Sequence, residues 1–232
     1  MTTPMGSSFD PDRVAGLRAG LERSSGARSS GALNVLWRRA IVWTVGFVVL
    51  LYAIQGVNSV TGYALDRDAG IRPRSLAGLD GVVFAPLLHG SWPHLLGNTL
   101  PVVVLGLLTL LTGIGRGLVA TAIIWVVSGL GAWLISAGNS VTIGASGLVF
   151  GWLIYLILRG VFTRNVWQIV LGVVVGLLYG GILLGVLPGQ PGISWQGHLF
   201  GAVGGVIAAW VLSGNERRLR RGGTPGRLPS AG

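Results

Sequence analysis

Val166–Val186, VWQIVLGVVVGLLYGGILLGV, runs for 21 residues without one charged side chain. About 20 such residues wound as a helix cross the roughly 30 Å hydrocarbon core of a bilayer, so the stretch reads as a membrane span. Working outward, segments of the same kind lie on both sides: Ala40–Gln55, Trp92–Leu111, Leu118–Ser136 and Ala145–Leu158 before it, and His198–Leu212 after it. The whole chain agrees, with 51% hydrophobic and 10% charged residues and a mean hydropathy of +0.69 over 232 residues, well outside soluble averages. The expected fold class is all-α, a polytopic membrane bundle of six transmembrane helices.

The polar remainder falls into three parts. Residues 1–37, rich in Ser, Gly, Pro and Arg, read as a flexible cytoplasmic tail with at most one short amphipathic helix. Residues 38–213 carry the six spans, and 214–232 form a second flexible, Arg-rich cytoplasmic tail. Arg38 and Arg39 precede the first apolar run and no small-residue cleavage pattern follows it, so a cleaved signal peptide is not expected. The connection from Gly56 to about Leu79 carries Asp66, Arg67, Asp68, Arg72, Pro73 and Arg74. It exceeds an ordinary loop, which suggests partial structure or a function.

Arginine sets the orientation, because short cytoplasmic segments accumulate positive charge. With both termini in the cytoplasm, Arg116, Arg159 and Arg164 join the tail arginines on the inner side, leaving Arg67, Arg72 and Arg74 outside beside Asp66, Asp68 and Asp80. The reading is therefore a multi-pass protein of the cytoplasmic cell membrane. The net charge of +10 needs no nucleic acid, since the arginines flank spans rather than form one patch interleaved with aromatics. Cysteine is absent, which excludes disulfides, a thiol nucleophile and thiolate metal ligands.

In this topology spans two, four and six begin on the same outer face, and the conspicuous polar residues sit at those beginnings: His94 and Asn98, Ser146, and His198. Polar groups are expensive within hydrocarbon, and their coincidence at one level points to chemistry in the membrane. Span four offers about 14 apolar residues, or about 20 Å of helix against about 30 Å of hydrocarbon. Ser146 is thus expected roughly 10 Å below the outer surface. Gly138–Gly144 would dip in as non-helical backbone, shielded by protein or lining a wet cavity.

The residue types suit nucleophilic hydrolysis. A serine hydroxyl needs a neighbouring base, and neutral histidine is the usual one, which gives Ser146 as nucleophile and His198 as general base and acid. Gly147 with Gly151, and Gly201 with Gly205, form small-residue faces that let spans four and six approach. His94 and Asn98 share a helix face and can donate to one oxygen, with the Ser146 backbone N–H and its helix terminus adding to the field. Each element taken alone has a plainer reading. Gly-x-Ser-Gly can be a packing face, a membrane histidine can bridge helices or bind an ion, and His94 with Asn98 can be a polar clamp or a metal half-site. His89 reads as an interfacial or loop-fixing residue. Phe150, one turn beyond Ser146, reads as core or as a support stacked on the His198 ring, and Trp92 and Trp195 as an aromatic belt.

Three motifs together resemble one family: His89-Gly-Ser-Trp-Pro-His94-Leu-Leu-Gly-Asn98, Gly144-Ala-Ser146-Gly147, and Gly197-His198-xx-Gly201-xxx-Gly205. In order and spacing, over residues 40 to 213, they resemble the rhomboid intramembrane serine proteases of the basic six-span bacterial type. The resemblance implies a Ser146–His198 dyad without an aspartate, His94 and Asn98 as oxyanion donors, and Phe150 as aromatic support, with Gly144, Gly147, Gly201 and Gly205 as supporting positions. It also implies an acyl-enzyme route, transmembrane protein substrates cut near the outer end of their helix, and no cofactor or metal. Span five and the loop Leu187–Gln196 would then gate substrate entry. Many members carry a Trp-Arg pair where this chain reads Asp80-Gly81-Val82-Val83-Phe84, so the first loop should be stabilised differently here. A silent relative that binds membrane proteins, or a small transporter, are the other classes. Oligomeric state is not legible.

Overall fold

The computed structural model describes residues 11–190 and 192–222, with side chains described for 30–190 and 192–214. Among the described residues the chain is helical and has no strand, only one isolated antiparallel bridge, Ile71 with Thr142. Eight α-helices follow in order: α1 Pro11–Val60, α2 Ala64–Ala69, α3 Gly81–Phe84, α4 Trp92–Leu111, α5 Ile114–Ile135, α6 Ser146–Thr163, α7 Val166–Tyr179 and α8 Trp195–Gly222. Among the described residues six stretches are long and apolar enough to cross a membrane: Ser30–Val60, Trp92–Leu111, Ile114–Ile135, Ser146–Thr163, Val166–Val186 and Trp195–Gly214. The protein is a polytopic all-α membrane bundle.

Several boundaries depart from the sequence reading. Residues 1–10 and 223–232 of the two expected tails lie outside the described residues, but helix occupies 11–37 and continues through 214–222. Pro11 stands at the first helical position, where its missing N–H costs nothing, and no other proline follows until Pro73. Span five is α-helical only to Tyr179. Gly180–Val186 tightens into a 3-10 helix where adjacent glycines, Gly180 and Gly181, weaken the α form.

The largest correction concerns span four. Its helix continues past Leu158 to Thr163, because Arg159 is only 9% exposed and does not end the span. Eighteen residues make about 27 Å of helix, so the length shortfall that set Ser146 roughly 10 Å deep is not there. A charged residue, Arg159, also lies inside an apolar span, where the sequence reading had none.

The chain divides into two compact units, Met1–Arg39 and Ala40–Gly232. The first is helical from Pro11. In the second, α6 is central, packed against α4, α5, α7 and α8, and its Leu148, Leu153 and Tyr155 are fully enclosed. Glycine sets the α6–α8 distance. A Cβ on Gly201 would overlap the Gly147 carbonyl oxygen, and one on Gly205 the Gly151 carbonyl oxygen, so each helix lays its backbone on the other.

Between α1 and α4 the chain builds a folded loop that leans on α5. The Arg74 guanidinium donates to the Leu134 and Ser136 carbonyls at 3.0 and 2.7 Å, satisfying orphan acceptors at the end of α5. The Trp133 indole donates to the Ser75 carbonyl at 3.0 Å and the Trp125 indole to the Val82 carbonyl at 2.9 Å. Two tryptophans of α5 and an arginine of the loop therefore hold the segment that lacks the Trp-Arg pair. The loop in turn shields the non-helical stretch before α6: Ile71 and Thr142 exchange backbone hydrogen bonds at 3.0 Å, and the Gly144 N–H donates to the Ala85 carbonyl at 2.8 Å.

Candidate active site

Ser146 is the first residue of α6, and His198 lies in the first turn of α8. The glycine contact between these helices brings the Ser146 Oγ within 2.7 Å of the His198 Nε2. The other ring nitrogen, Nδ1, lies 3.0 Å from the Gly185 carbonyl. A carbonyl can only accept, so Nδ1 carries the proton, Nε2 of the neutral ring presents a lone pair, and the Ser146 hydroxyl donates to it. A backbone carbonyl thus does the orienting that a carboxylate does in a triad. Phe150 stacks on the imidazole with centroids 4.1 Å apart and planes 12° from parallel, closing the ring's remaining freedom.

The second half of the site comes from α4. Ser91 caps this helix, accepting from the His94 N–H at 3.2 Å, and Pro93 occupies its first turn. His94 and Asn98 then follow one turn apart on one face. Asn98 donates one amide proton to the His94 carbonyl at 3.1 Å, which steadies the amide and leaves its second proton free of that bond. Gly144 ties the halves together. Its φ of +116° is closed to L side chains, and a Cβ there would lie 3.0 Å from the His94 Nε2 and 3.8 Å from the Ser146 Oγ. One bare point of backbone therefore faces both groups.

His94, Asn98, Ser146, Phe150 and His198 all line one cavity of about 520 Å³. Its floor is the start of α6, where the first N–H groups have no partner within the helix and the dipole is positive. The cavity can admit a peptide segment and water, present a nucleophile with its base, and surround a developing oxyanion with donors. Among the described residues no group of three His, Asp or Glu is placed to hold a metal ion.

Sequence reasoning placed Ser146, His198, His94, Asn98, Gly144, Gly147, Phe150, Gly201 and Gly205, and all of them meet at this site or its supporting helix contact. It left His89 vague. His89 is fully buried, its Nε2 faces the Ala145 N–H at 3.5 Å, and its ring stands edge-on to His94 at 5.0 Å. Burial pushes the ring down to about 4, with the neighbouring His94 adding to the effect. It missed the Gly185 carbonyl, since a backbone oxygen has no signature in a sequence. Also missed were Ser128, whose hydroxyl donates to the Gly197 carbonyl at 2.8 Å, and the Thr142–Ser194 hydroxyl pair at 3.2 Å, which fix the start of α8 from two sides.

Residues 74–215 match the family model of the Rhomboid domain. The chain is similar to the uncharacterized protein Rv1337 of Mycobacterium tuberculosis, at 53% identity over 77% of this chain and 80% of that one. Uncharacterized protein ML1171 of Mycobacterium leprae is 44% identical over 78% of this chain and 77% of its own length. A more distant similarity, 28% identity over 56% of this chain and 51% of the relative, is to the rhomboid-like protein 11, chloroplastic, of Arabidopsis thaliana.

Proposed function

The chain belongs to the rhomboid family of multi-pass membrane proteins, and from that premise we propose that it is an intramembrane serine endopeptidase. The observation that carries the reading is the 2.7 Å approach of the Ser146 hydroxyl to a histidine nitrogen whose partner nitrogen is pinned by the Gly185 carbonyl. Ser146 Oγ attacks the carbonyl carbon of a peptide bond while its proton passes to His198 Nε2. His94, Asn98 and the Ser146 N–H receive the oxyanion. The tetrahedral species collapses, the C–N bond breaks, and the imidazolium returns the proton to the leaving amine. Water, deprotonated by the same nitrogen, then hydrolyses the acyl-enzyme and restores the serine. No metal or cofactor enters these steps.

The substrates are membrane proteins whose helix unwinds near its outer end, because a regular helix hides its carbonyls from attack. Entry beside α7 suits the packing. The span Val166–Val186 that it opens is the least buried of the six, and the 3-10 segment completing that span carries Gly185. The arginine distribution supports a cytoplasmic membrane location with both termini inside. Labelling of the purified protein with a fluorophosphonate tests the reading. Wild type should become modified at Ser146, and Ser146→Ala and His198→Ala should not. A wild type that resists the reagent, or a Ser146→Ala variant that still reacts, would overturn it.

A further inference from the structure

Away from the catalytic cavity the spans enclose a second, smaller one of about 180 Å³, walled by α1, α4, α5 and α6. Small residues meet at its middle: Thr44 of α1, Gly106 of α4 and Thr121 of α5. Gly106 stays bare because the Trp152 ring lies 3.4 Å from where its Cβ would be. Phe47 and Trp125 also line the cavity, and their rings meet edge to face with centroids 6.3 Å apart. Trp43 and Leu118, both exposed, stand at the rim, so the cavity opens on the outer surface of the spans. Thr121 is already engaged: its hydroxyl accepts from the Trp152 indole at 2.9 Å and donates to the Gly117 carbonyl at 2.8 Å. Thr44 is then the one remaining hydroxyl of an otherwise apolar wall, short of the about two to four polar partners that a buried water needs.

The cavity lies in the half of the bundle away from the active site. Tyr52 of α1 meets Thr99 of α4, the neighbour of Asn98, at 3.1 Å, and Thr44 stands about 12 Å further back along α1. Helix α5 begins at that far side with Ile114, and Trp125 lies about 16 Å along it, close to half of the roughly 30 Å hydrocarbon core. A hydrocarbon chain running along α5 from the far leaflet would therefore end at Trp125. We infer that this cavity is a lipid site, holding one acyl chain of a glycerophospholipid from the leaflet opposite the active site, its tail end against Phe47 and Trp125. The cavity is continuous with the surface that the spans present to lipid, its walls suit hydrocarbon and exclude water, and its depth matches one leaflet.

The site has a consequence for the catalytic cavity, because Trp125 lines both. Its indole donates to the Val82 carbonyl at 2.9 Å, which ties the ring to the loop before α4. An acyl chain supplies the dispersion contacts that the lipid-side face of the ring otherwise lacks, so loading should steady a wall of the catalytic cavity. This second step rests on the peptidase reading, whereas the binding itself does not.

Native mass spectrometry of protein delipidated in detergent, then titrated with palmitoyl-oleoyl phosphatidylglycerol, tests the binding. Wild type should retain one lipid after detergent is stripped. With a diazirine at the end of one acyl chain, adducts should concentrate on Phe47 and Trp125. Thr44→Phe fills the middle of the cavity and should abolish both signals. Leu118→Trp alters only an exposed residue at the rim, cannot disturb the core, and should abolish them too. Thr44→Val keeps the shape without the hydroxyl and should bind within twofold of wild type. Fluorophosphonate labelling of wild type should quicken severalfold on adding the lipid, and labelling of Leu118→Trp should not respond. No retained lipid on wild type, equal retention by Leu118→Trp, or adducts spread evenly over the outer faces of the spans would each overturn the site. Loss of binding in Thr44→Val would overturn the acyl chain as occupant in favour of a polar ligand. Wild type that resists labelling with and without lipid would defeat the peptidase reading instead, while the retained lipid and its adducts would still decide the site.

Discussion

Replacing Gly201 with alanine adds one methyl group where α8 lies against the Gly147 carbonyl, one residue beyond Ser146 in the chain and one turn from His198. That carbonyl is helix backbone and cannot swing aside, so the two helices must part. Overpacking of this kind costs about 1–3 kcal/mol. Alanine returns up to about 1 kcal/mol of helix propensity, leaving a net loss of about 0–2 kcal/mol and only a small fall in melting temperature. The reaction should suffer more. Separation acts directly on the 2.7 Å Ser146–His198 contact, and a misplacement of about 1 Å costs about 10²-fold in rate, equivalent to roughly 2.7 kcal/mol in the barrier. Gly205→Ala overlaps the Gly151 carbonyl in the same way but one turn further from the dyad, so it should lose similar stability and less than about tenfold in rate. Gly214→Ala, with nothing within 4 Å of the new methyl, should be silent in rate and gain up to about 1 kcal/mol. Fluorophosphonate labelling rates read beside thermal unfolding in micelles separate the two effects. If folded Gly201→Ala labels within twofold of wild type, or Gly205→Ala slows as much, glycine contact does not set the dyad geometry.

Three further outcomes are expected. His94→Ala and Asn98→Ala should each lower kcat for a transmembrane peptide substrate by about 10²–10³ with KM little changed, and a rise confined to KM would assign them to substrate binding. His89 is held at about 4 in the fold against 6.5 when unfolded, so the unfolded chain binds the extra proton. Stability should be full above 6.5 and fall by about 3 kcal/mol as pH drops toward 4, a slope that chemical unfolding of His89→Gln should not show. Arg74→Ala removes two charge-assisted bonds to the end of α5; because the guanidinium is exposed, about 1–2 kcal/mol is expected, read as faster hydrogen exchange in the last turn of α5. Exchange unchanged there would mean the loop docks without it.

How much could be read from the chain follows from the kind of interaction involved. Transmembrane helices satisfy their own backbone, so length and hydropathy alone marked six spans, and Trp92–Leu111 was placed to the residue. Ser146, His94, Asn98 and His198 stood out because polar groups are costly in apolar runs, and the glycine pairs because backbone contact between helices requires the smallest residue. The inner end of α6 was misplaced because a charged Arg159 reads as a boundary until its burial is seen. Only the tertiary structure could supply the Gly185 carbonyl that selects the His198 tautomer, the α5 tryptophans that hold the loop, and the buried hydrogen bond from Asn58 to Asp66. Those depend on backbone atoms that every residue shares, or on a charge whose exposure the sequence does not specify. Which carbonyl lies within 3 Å of which ring is decided by packing, not by residue type.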